Sequence, residues 1–317
     1  MEMKKFLHKI KFDKWKGWIY LSPALVLLAI FTFWPMFNTL RLAFSNHYNG
    51  FKAVGGQAFE MGIANFSHVV SSGGPFLEAL ENTVILCFVT VPISTILALL
   101  IAVFLNSIKP LQRFYQTIFF LPYVTNSIAI GMVFSAMFNV VGKFSNPSSW
   151  GLMNTFLMSL GLDPVNFINQ GSSHSANMGV TIIYIVWNAL PFKILVLLGA
   201  LQSVNKQYYE AAKIDSTPRW RVFTRITVPM LSPMLAYVII TGFIGGFKEY
   251  SSIVGIFGDD MRPVGSRESM MTMVGFIREV LPDGDYGYAS AAALILFAII
   301  FAVTMVNLYV SKKKTHF

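Results

Sequence analysis

The chain has 317 residues, of which 55% are hydrophobic and only 12% are charged, with a formal net charge of +9. Soluble domains carry charge on roughly a quarter of their residues, so this composition excludes an ordinary water-soluble protein and indicates that lipid is the main solvent. The single cysteine, Cys87, excludes an intramolecular disulfide, and the five histidines show no metal-binding spacing. We therefore expect no metal site and no cofactor.

Six apolar stretches are long enough to cross a bilayer as helices, which takes roughly 20 residues each. In chain order they cover residues 19–37, 84–105, 115–138, 179–201, 234–257 and 288–310. A basic segment precedes the first stretch, but no small-residue cleavage site follows it, so we interpret that stretch as a retained helix. The sequence predicts an all-α integral membrane protein with six transmembrane helices, and a further short helix near residues 151–160 at the outer interface.

Lysines and arginines outside these stretches are distributed unequally between the two faces. Sixteen fall in the termini and in the loops after the second and fourth spans, whereas six fall in the other loops. Cytoplasmic loops carry the excess of Lys and Arg, so we predict that both termini are cytoplasmic. The positive charge thus indicates topology, and nucleic acid is not expected as a partner.

Three charged residues lie inside the spans, where charge is usually functional. Lys193 is close enough to the inner end of its helix for its ammonium to reach the cytoplasmic interface. Lys248 and Glu249 fall in the outer half of the fifth span, and adjacent helical residues point roughly 100° apart. We expect one of them to face a water-filled pathway and the other to reach the outer interface or a neighbouring helix.

The loop between the fourth and fifth spans, residues 202–232, reads QSVNKQYYEAAKIDSTPRWRVFTRITVPMLS. The pattern predicts two short helices, the first over residues 205–214. Thr217 suits an N-cap with Pro218 at the first helical position, and Pro229 is expected to end the second helix. A pair of capped helices on the cytoplasmic surface indicates a docking element.

Within this loop the chain resembles the integral membrane subunits of ABC importers. Their motif has Glu-Ala-Ala, three residues, Gly, nine residues, Ile, one residue and Leu-Pro. The same spacing is present here, with Ser in place of Gly and Val in place of Leu. The Gly normally takes a left-handed conformation, which Ser adopts only at a cost, so a differently formed turn is left open. The resemblance implies that a separate ATPase docks on Glu210, Ala211, Ala212, Asp215, Ser216, Ile226 and Pro229.

Motifs elsewhere are similar to the carbohydrate-uptake branch of these importers, the maltose and multiple-sugar type. They are LSPA at 21–24, Trp34-Pro35, GIANF at 62–66, FKEY at 247–250 and YGYASA at 286–291; the final external loop departs from the branch at 258–263. The resemblance implies a type I ABC importer permease fold. It also implies two regions, namely residues 1–76, with the first helix and first external loop, and a permease core over residues 77–317.

What the resemblance implies for function is ATP-driven, binding-protein-dependent import of a sugar or oligosaccharide across a bacterial or archaeal plasma membrane. The partners would be a homologous second permease subunit, two ATPase subunits and an extracytoplasmic solute-binding protein. The chain has no GxxxxGK[ST] phosphate loop, so it is expected to be a non-catalytic translocation subunit. Glycerol phosphate or another polar solute is an alternative cargo.

An ion-coupled secondary transporter is the alternative of a different class, but it would show paired inverted repeats with midplane carboxylates. A sugar site requires aromatic faces for the apolar ring surface and amide or charged groups for the hydroxyls. Helix packing is the competing explanation for each such residue. The candidates are Tyr123, Asn126, Trp187, Asn188, Phe247, Lys248 and Tyr250.

Overall fold

The computed structural model describes residues 2–71, 74–108, 112–140, 150–263 and 269–314. Across these ranges the chain is helical, and β-structure is limited to isolated bridges such as the one between Ser45 and Met61. The chain forms two compact units, one of residues 1–71 with 280–294 and the other of residues 72–279 with 295–317. Three of the basic residues used to predict topology, Lys109, Lys143 and Arg267, lie outside the described residues.

The first unit begins with one long helical stretch. Helix α1 (Glu2–Leu28) passes through a π-helical turn (Ala29–Phe33) into α2 (Trp34–Ala43). Pro35 lies in the first turn of α2, and a widened turn before it accommodates a residue that has no N–H to donate. Two short helices follow, α3 (Gly50–Val54) and α4 (Ala64–Ser71).

The core of the second unit lies between the helices over residues 75–107, 174–203 and 232–247. Their buried side chains include Ala98, Ala102, Leu197, Leu201 and Val238, which form one hydrophobic cluster. Small residues in this cluster allow close helix packing, as is usual inside membrane proteins. In chain order this unit contains α5 (Pro75–Ser107), α6 (Gln112–Val124), α7 (Ser127–Phe138), α8 (Leu152–Ser159), α9 (His174–Ser203), α10 (Lys206–Ile214), α11 (Arg219–Val222), α12 (Val228–Met230), α13 (Ser232–Phe247) and α14 (Ser251–Phe257). Helices α15 (Met273–Val280) and α16 (Tyr286–Lys314) complete the chain.

Four helices are each long and apolar enough to cross a membrane, namely Trp15–Ala43, Pro75–Ser107, His174–Ser203 and Tyr286–Lys313. Two bent helix pairs bring the number to six if each pair is counted as one span. The prediction of an all-α membrane protein is therefore confirmed, and the predicted short helix near residue 155 is α8.

The third span is not the continuous helix that we predicted. It consists of α6 and α7, which meet at an angle of 97°. The side chain of Asn126 accepts hydrogen bonds from the backbone N–H groups of Ile128 (2.9 Å) and Ala129 (3.3 Å). This cap satisfies N–H groups that a continuous helix would have paired internally, and it stabilises the start of a new helix in place of a straight one.

The fifth span is also broken, which makes the prediction of one helix over residues 234–257 wrong. Helix α13 ends at Phe247, and α14 begins at Ser251. One carboxylate oxygen of Glu249 accepts from the N–H groups of Tyr250 (3.1 Å) and Ser252 (3.0 Å). A carboxylate is stabilised at the positive end of a helix, so the side chain of Glu249, the residue before the N-cap Tyr250, stabilises the start of α14.

Helices α7 and α14 cross at two glycines. A β-carbon added to Gly131 would lie 2.6 Å from the α-carbon of Gly255, and one added to Gly255 would lie 2.9 Å from that of Gly131. Because backbone atoms occupy that space, neither position accommodates a side chain without moving a helix.

Replacing Gly131 by alanine is expected to destabilise the protein by about 1–3 kcal/mol, the usual cost of overpacking. The control is Gly199→Ala in α9, where nothing lies within 4 Å of an added β-carbon and alanine is the better helix former. Thermal unfolding in detergent measures both variants. Equal stability of the two would contradict close packing at this crossing.

Candidate functional site

The first candidate site is the loop that begins with α10. Asn205 caps this helix by accepting from the N–H of Gln207 at 3.0 Å. At its other end the N–H of Ser216 donates to the carbonyl of Lys213 (3.1 Å), and the N–H of Thr217 donates to that of Ala212 (2.9 Å). These two bonds form a Schellman motif, in which Ser216 has φ = +51°.

Ser216 therefore adopts the left-handed conformation that glycine takes in the family motif, and a differently formed turn is excluded. The conformation costs a non-glycine residue about 1–2 kcal/mol. Tyr209 offsets part of this cost, because its hydroxyl lies 3.3 Å from the Thr227 hydroxyl and ties α10 to the following segment. The loop keeps a defined shape despite the substitution.

The second helix of the loop differs from the prediction at both ends. Its N-cap residue is Pro218 and not Thr217. It does not end at Pro229 either, because it passes from α11 through a π-helical turn (Phe223–Thr227) into α12. In that turn the N–H of Val228 donates to the carbonyl of Phe223. The wider π-helical pairing makes room for Pro229, which has no N–H for the regular pattern.

The surface of this loop carries a carboxylate and large apolar side chains. Glu210 is exposed, and it forms no ion pair with any residue that the structure describes. The side chains of Ile214 and Trp220 are 83% and 72% exposed. Ala212 is buried, so α10 is anchored by one face while its other face carries groups suited to contact with another protein.

The second candidate site is a cavity of about 440 Å³ in the second unit. Helices α5, α9 and α13 line it, together with the bend between α6 and α7 and the break after α13. Its polar groups are hydroxyls, one amide, one ammonium and one carboxylate, and aromatic rings form part of the wall. They belong to Thr90, Ser94, Tyr123, Thr125, Ser127, Asn188, Phe192, Lys193, Thr241 and Glu249.

Lys193 lines this cavity and is only 5% exposed. Its ammonium donates to the hydroxyls of Ser94 (2.7 Å) and Thr95 (3.0 Å) and to the carbonyl of Val91 (3.2 Å). The expectation that it reaches the cytoplasmic interface is therefore wrong. The ammonium is stabilised by three hydrogen bonds to acceptors on α5, so the side chain does not extend to water at the interface. No carboxylate of the described chain forms an ion pair with it.

Glu249 also lines the cavity, whereas Lys248 is exposed outside it. Their different directions follow from the non-helical break between α13 and α14, and not from the 100° step of a continuous helix on which the prediction relied. The hydroxyl of Thr272 donates to the carbonyl of Glu249 at 2.6 Å. The break is thus held at a fixed position by a side chain outside both helices.

The candidate pathway residues separate into two groups. Tyr123 and Asn188 line the cavity. Asn126 is the cap of α7, Trp187 packs against Phe134 with ring centroids 5.4 Å apart, and Phe247 is buried. The guanidinium of Arg278 lies 4.9 Å from the ring of Tyr250. Contact with a solute stays a prediction for all seven, and the geometry favours Tyr123 and Asn188.

Sequence reasoning did not single out the hydroxyl groups of α5. Thr90 and Ser94 are four residues apart, so they share one face of an otherwise apolar helix. That spacing was the available signal. It is weak, because Ser and Thr in such helices commonly bond to their own backbone, as the Ser94 hydroxyl does with the carbonyl of Thr90.

Comparison with known proteins gives a consistent result along nearly the whole chain. The profile of the family described as "Binding-protein-dependent transport system inner membrane component" matches residues 71–316. The lactose transport system permease protein LacF of Rhizobium radiobacter is 25% identical over 304 residues, covering 94% of each chain. The trehalose/maltose transport system permease protein MalF of Thermococcus litoralis is 29% identical over 305 residues, covering 96% of each.

Solved structures show the same fold. A chain of a bacterial ABC transporter involved in the import of the acidic polysaccharide alginate has a TM-score of 0.75 at 22% identity, covering 98% of this chain and 100% of that one. A chain of the alginate transporter in complex with an alginate pentasaccharide-bound periplasmic protein has a TM-score of 0.73 at 24% identity, covering 97% of each. At these identities the likeness concerns the fold alone.

Proposed function

The chain belongs to the family of binding-protein-dependent transport system inner membrane components, and we propose that its cargo is a sugar or oligosaccharide. It is a membrane-spanning, non-catalytic subunit with an importer permease fold. The relatives named above transport lactose, trehalose and maltose, and a 26% identical relative of Streptococcus mutans is a multiple sugar-binding transport system permease. Shared cargo chemistry is the simplest explanation for these similarities.

The observation that carries this proposal is the composition of the 440 Å³ cavity. A sugar presents vicinal hydroxyls, each both donor and acceptor, and an apolar ring face. The cavity offers the Asn188 amide and the Glu249 carboxylate for hydroxyls, and the rings of Tyr123 and Phe192, with centroids 5.9 Å apart from each other, for the ring face. These groups stand on several helices, so relative motion of the helices changes the cavity.

We propose that the loop over residues 202–232 docks on a separate ATPase. Its defined turn at Ser216 and its exposed Glu210, Ile214 and Trp220 support this role, because a rigid element transmits movement where a flexible one would not. Full assembly would comprise a homologous second permease, two ATPase subunits and an extracytoplasmic binding protein. The charge asymmetry supports cytoplasmic termini, and the division into residues 1–76 and a permease core over 77–317 stays a prediction.

The decisive experiment is transport by the assembled complex in proteoliposomes. We expect accumulation of labelled lactose, maltose or arabino-oligosaccharides that requires ATP, the binding protein and the ATPase subunits. A panel that includes glycerol 3-phosphate tests the other cargo class. Uptake that follows an ion gradient without ATP would refute the importer mechanism, and ATP-driven uptake of glycerol 3-phosphate alone would refute the sugar cargo.

Replacing Asn188 by leucine should lower sugar uptake about tenfold, because a solute hydroxyl in the cavity would lose a hydrogen-bond partner worth about 1.4 kcal/mol. ATPase activity stimulated by the binding protein should persist, since the substitution does not change the loop over residues 202–232 that is proposed to dock on the ATPase. Ile183→Leu is the control, because Ile183 lies on α9, is 52% exposed and does not line the cavity. Equal uptake by both variants would remove Asn188 from the pathway.

A further inference from the structure

A cavity of about 320 Å³ lies entirely within the first unit. It is formed by the segment after α2, by α4 and by residues 280–288. None of its residues lines the cavity among α5, α9 and α13. Its functional groups are two imidazoles, two carboxylates, an ammonium and a phenol, which belong to His47, His68, Asp283, Asp285, Lys52 and Tyr288.

One wall of this cavity is held by Asn65, which is only 2% exposed. Its amide donates to the carbonyls of Ala43 (3.0 Å) and Ser45 (2.7 Å), and its oxygen accepts from the N–H of His47 at 3.0 Å. His47 has φ = +51°, the left-handed conformation that costs a non-glycine residue about 1–2 kcal/mol. Backbone strain of this kind persists where the surrounding structure fixes it, often at a binding site.

The part of the wall formed by Asp283 and Asp285 is held in place by Asn49, which is 8% exposed. Its amide donates to the carboxylate of Asp285 at 2.6 Å and to the backbone carbonyl of Asp283 at 2.9 Å. The oxygen of the same side chain caps α3 by accepting from the N–H of Phe51. One buried side chain therefore positions both aspartates relative to α3, and the cavity is formed before any ligand arrives.

The chemistry of the lining selects the ligand. Carboxylates accept hydrogen bonds, the Lys52 ammonium donates them, and imidazoles and phenols do both, which suits hydroxyls. The rings of His68 and Tyr288 lie 4.8 Å apart and add an aromatic surface. The two carboxylates outnumber the Lys52 ammonium and therefore disfavour an anion, while Lys52 neutralises part of their charge. Across the described residues no three potential ligands are placed to hold a metal ion. The volume is at the small end for ligand sites, enough for one ring.

We propose that this cavity is an external binding subsite for one neutral sugar ring. The side of the membrane and the class of solute rest on the proposed function. The site itself rests on the two buried asparagines, the strained His47 and the two aspartates that Asn49 contacts. A ligand held here would be bound by side chains that do not line the 440 Å³ cavity.

Saturation-transfer difference NMR on the assembled transporter in lipid nanodiscs, without the binding protein, tests the subsite with maltotriose and lactose as probes. All variants carry Asn188→Leu, which weakens binding in the 440 Å³ cavity. In that background we expect ring-proton signals that fall at least fivefold when the double variant Asp283→Asn, His68→Gln is added. Glu60→Gln is the matched control, an exposed carboxylate of the same unit that does not line the cavity. The single variants decide the question if the double variant does not assemble.

Signals that are unchanged in the variants, that are absent from the unmodified transporter, or that fall equally in Glu60→Gln would overturn the subsite. The uptake assay separates this result from the proposed function. If the transporter imports sugar but gives no NMR signal that depends on His68 and Asp283, the subsite is refuted and the proposed function stands. Sugar binding that depends on these residues, without ATP-driven uptake, leaves the subsite standing and removes the proposed function.

Discussion

Replacing Glu210 by lysine is expected to lower ATP-driven uptake at least tenfold while the chain still inserts into the membrane. Glu210 lies on the exposed face of α10, on a loop that Asn205 and the turn at Ser216 hold in one shape. A docking carboxylate would meet a cation on the ATPase. Reversing its charge places two like charges in a desolvated contact, where losing one partner of an ion pair already costs about 2–5 kcal/mol.

Uptake should therefore fall at least tenfold, and less ATPase should co-purify with the permease. Asp259→Lys is the control, because it makes the same charge change at an exposed carboxylate beyond α14. Glu210→Gln separates loss of charge from its reversal and should have an intermediate effect. Normal uptake and undiminished co-purification with Glu210→Lys would show that Glu210 is not a docking residue.

The second large effect is expected at Lys193, where two substitutions should differ sharply. Lys193→Glu places a carboxylate against the oxygens of Ser94, Thr95 and Val91 in a buried site. The hydroxyls of Ser94 and Thr95 already donate to carbonyls of their own helix, and each would have to give up that bond to donate to the carboxylate. An uncompensated buried charge costs about 3–5 kcal/mol, and the folded complex should be obtained in much lower yield.

Lys193→Met should cost about 1 kcal/mol or less. Methionine is an unbranched side chain one atom shorter than lysine, and it removes the desolvation cost of the ammonium together with its hydrogen bonds. The hydroxyls on α5 stay bonded to their own helix, so no buried donor is left unpaired. Thermal unfolding of the purified transporter in detergent compares the two variants. Equal destabilisation by Met and Glu would show that the site does not discriminate between a neutral and a negatively charged side chain at position 193.

Much of the fold follows from local sequence alone. A run of about 20 apolar residues must be helical in lipid, because only a helix pairs all its backbone groups within one segment. Helices α5, α9 and α16 accordingly cover the predicted spans. Helix α10 was also predicted from sequence, since Asn205 caps it using neighbouring N–H groups alone. These features need no information from distant parts of the chain.

Only the tertiary structure decided where helices break and where polar side chains point. The break after α13 depends on Glu249 stabilising the start of α14 and on Thr272, 23 residues further along, binding the carbonyl that the break exposes. The position of Lys193 depends on Ser94, which lies 99 residues earlier on another helix. A polar group in an apolar helix has several possible partners, and hydropathy does not distinguish them. Which partner it binds is fixed only when the helices pack.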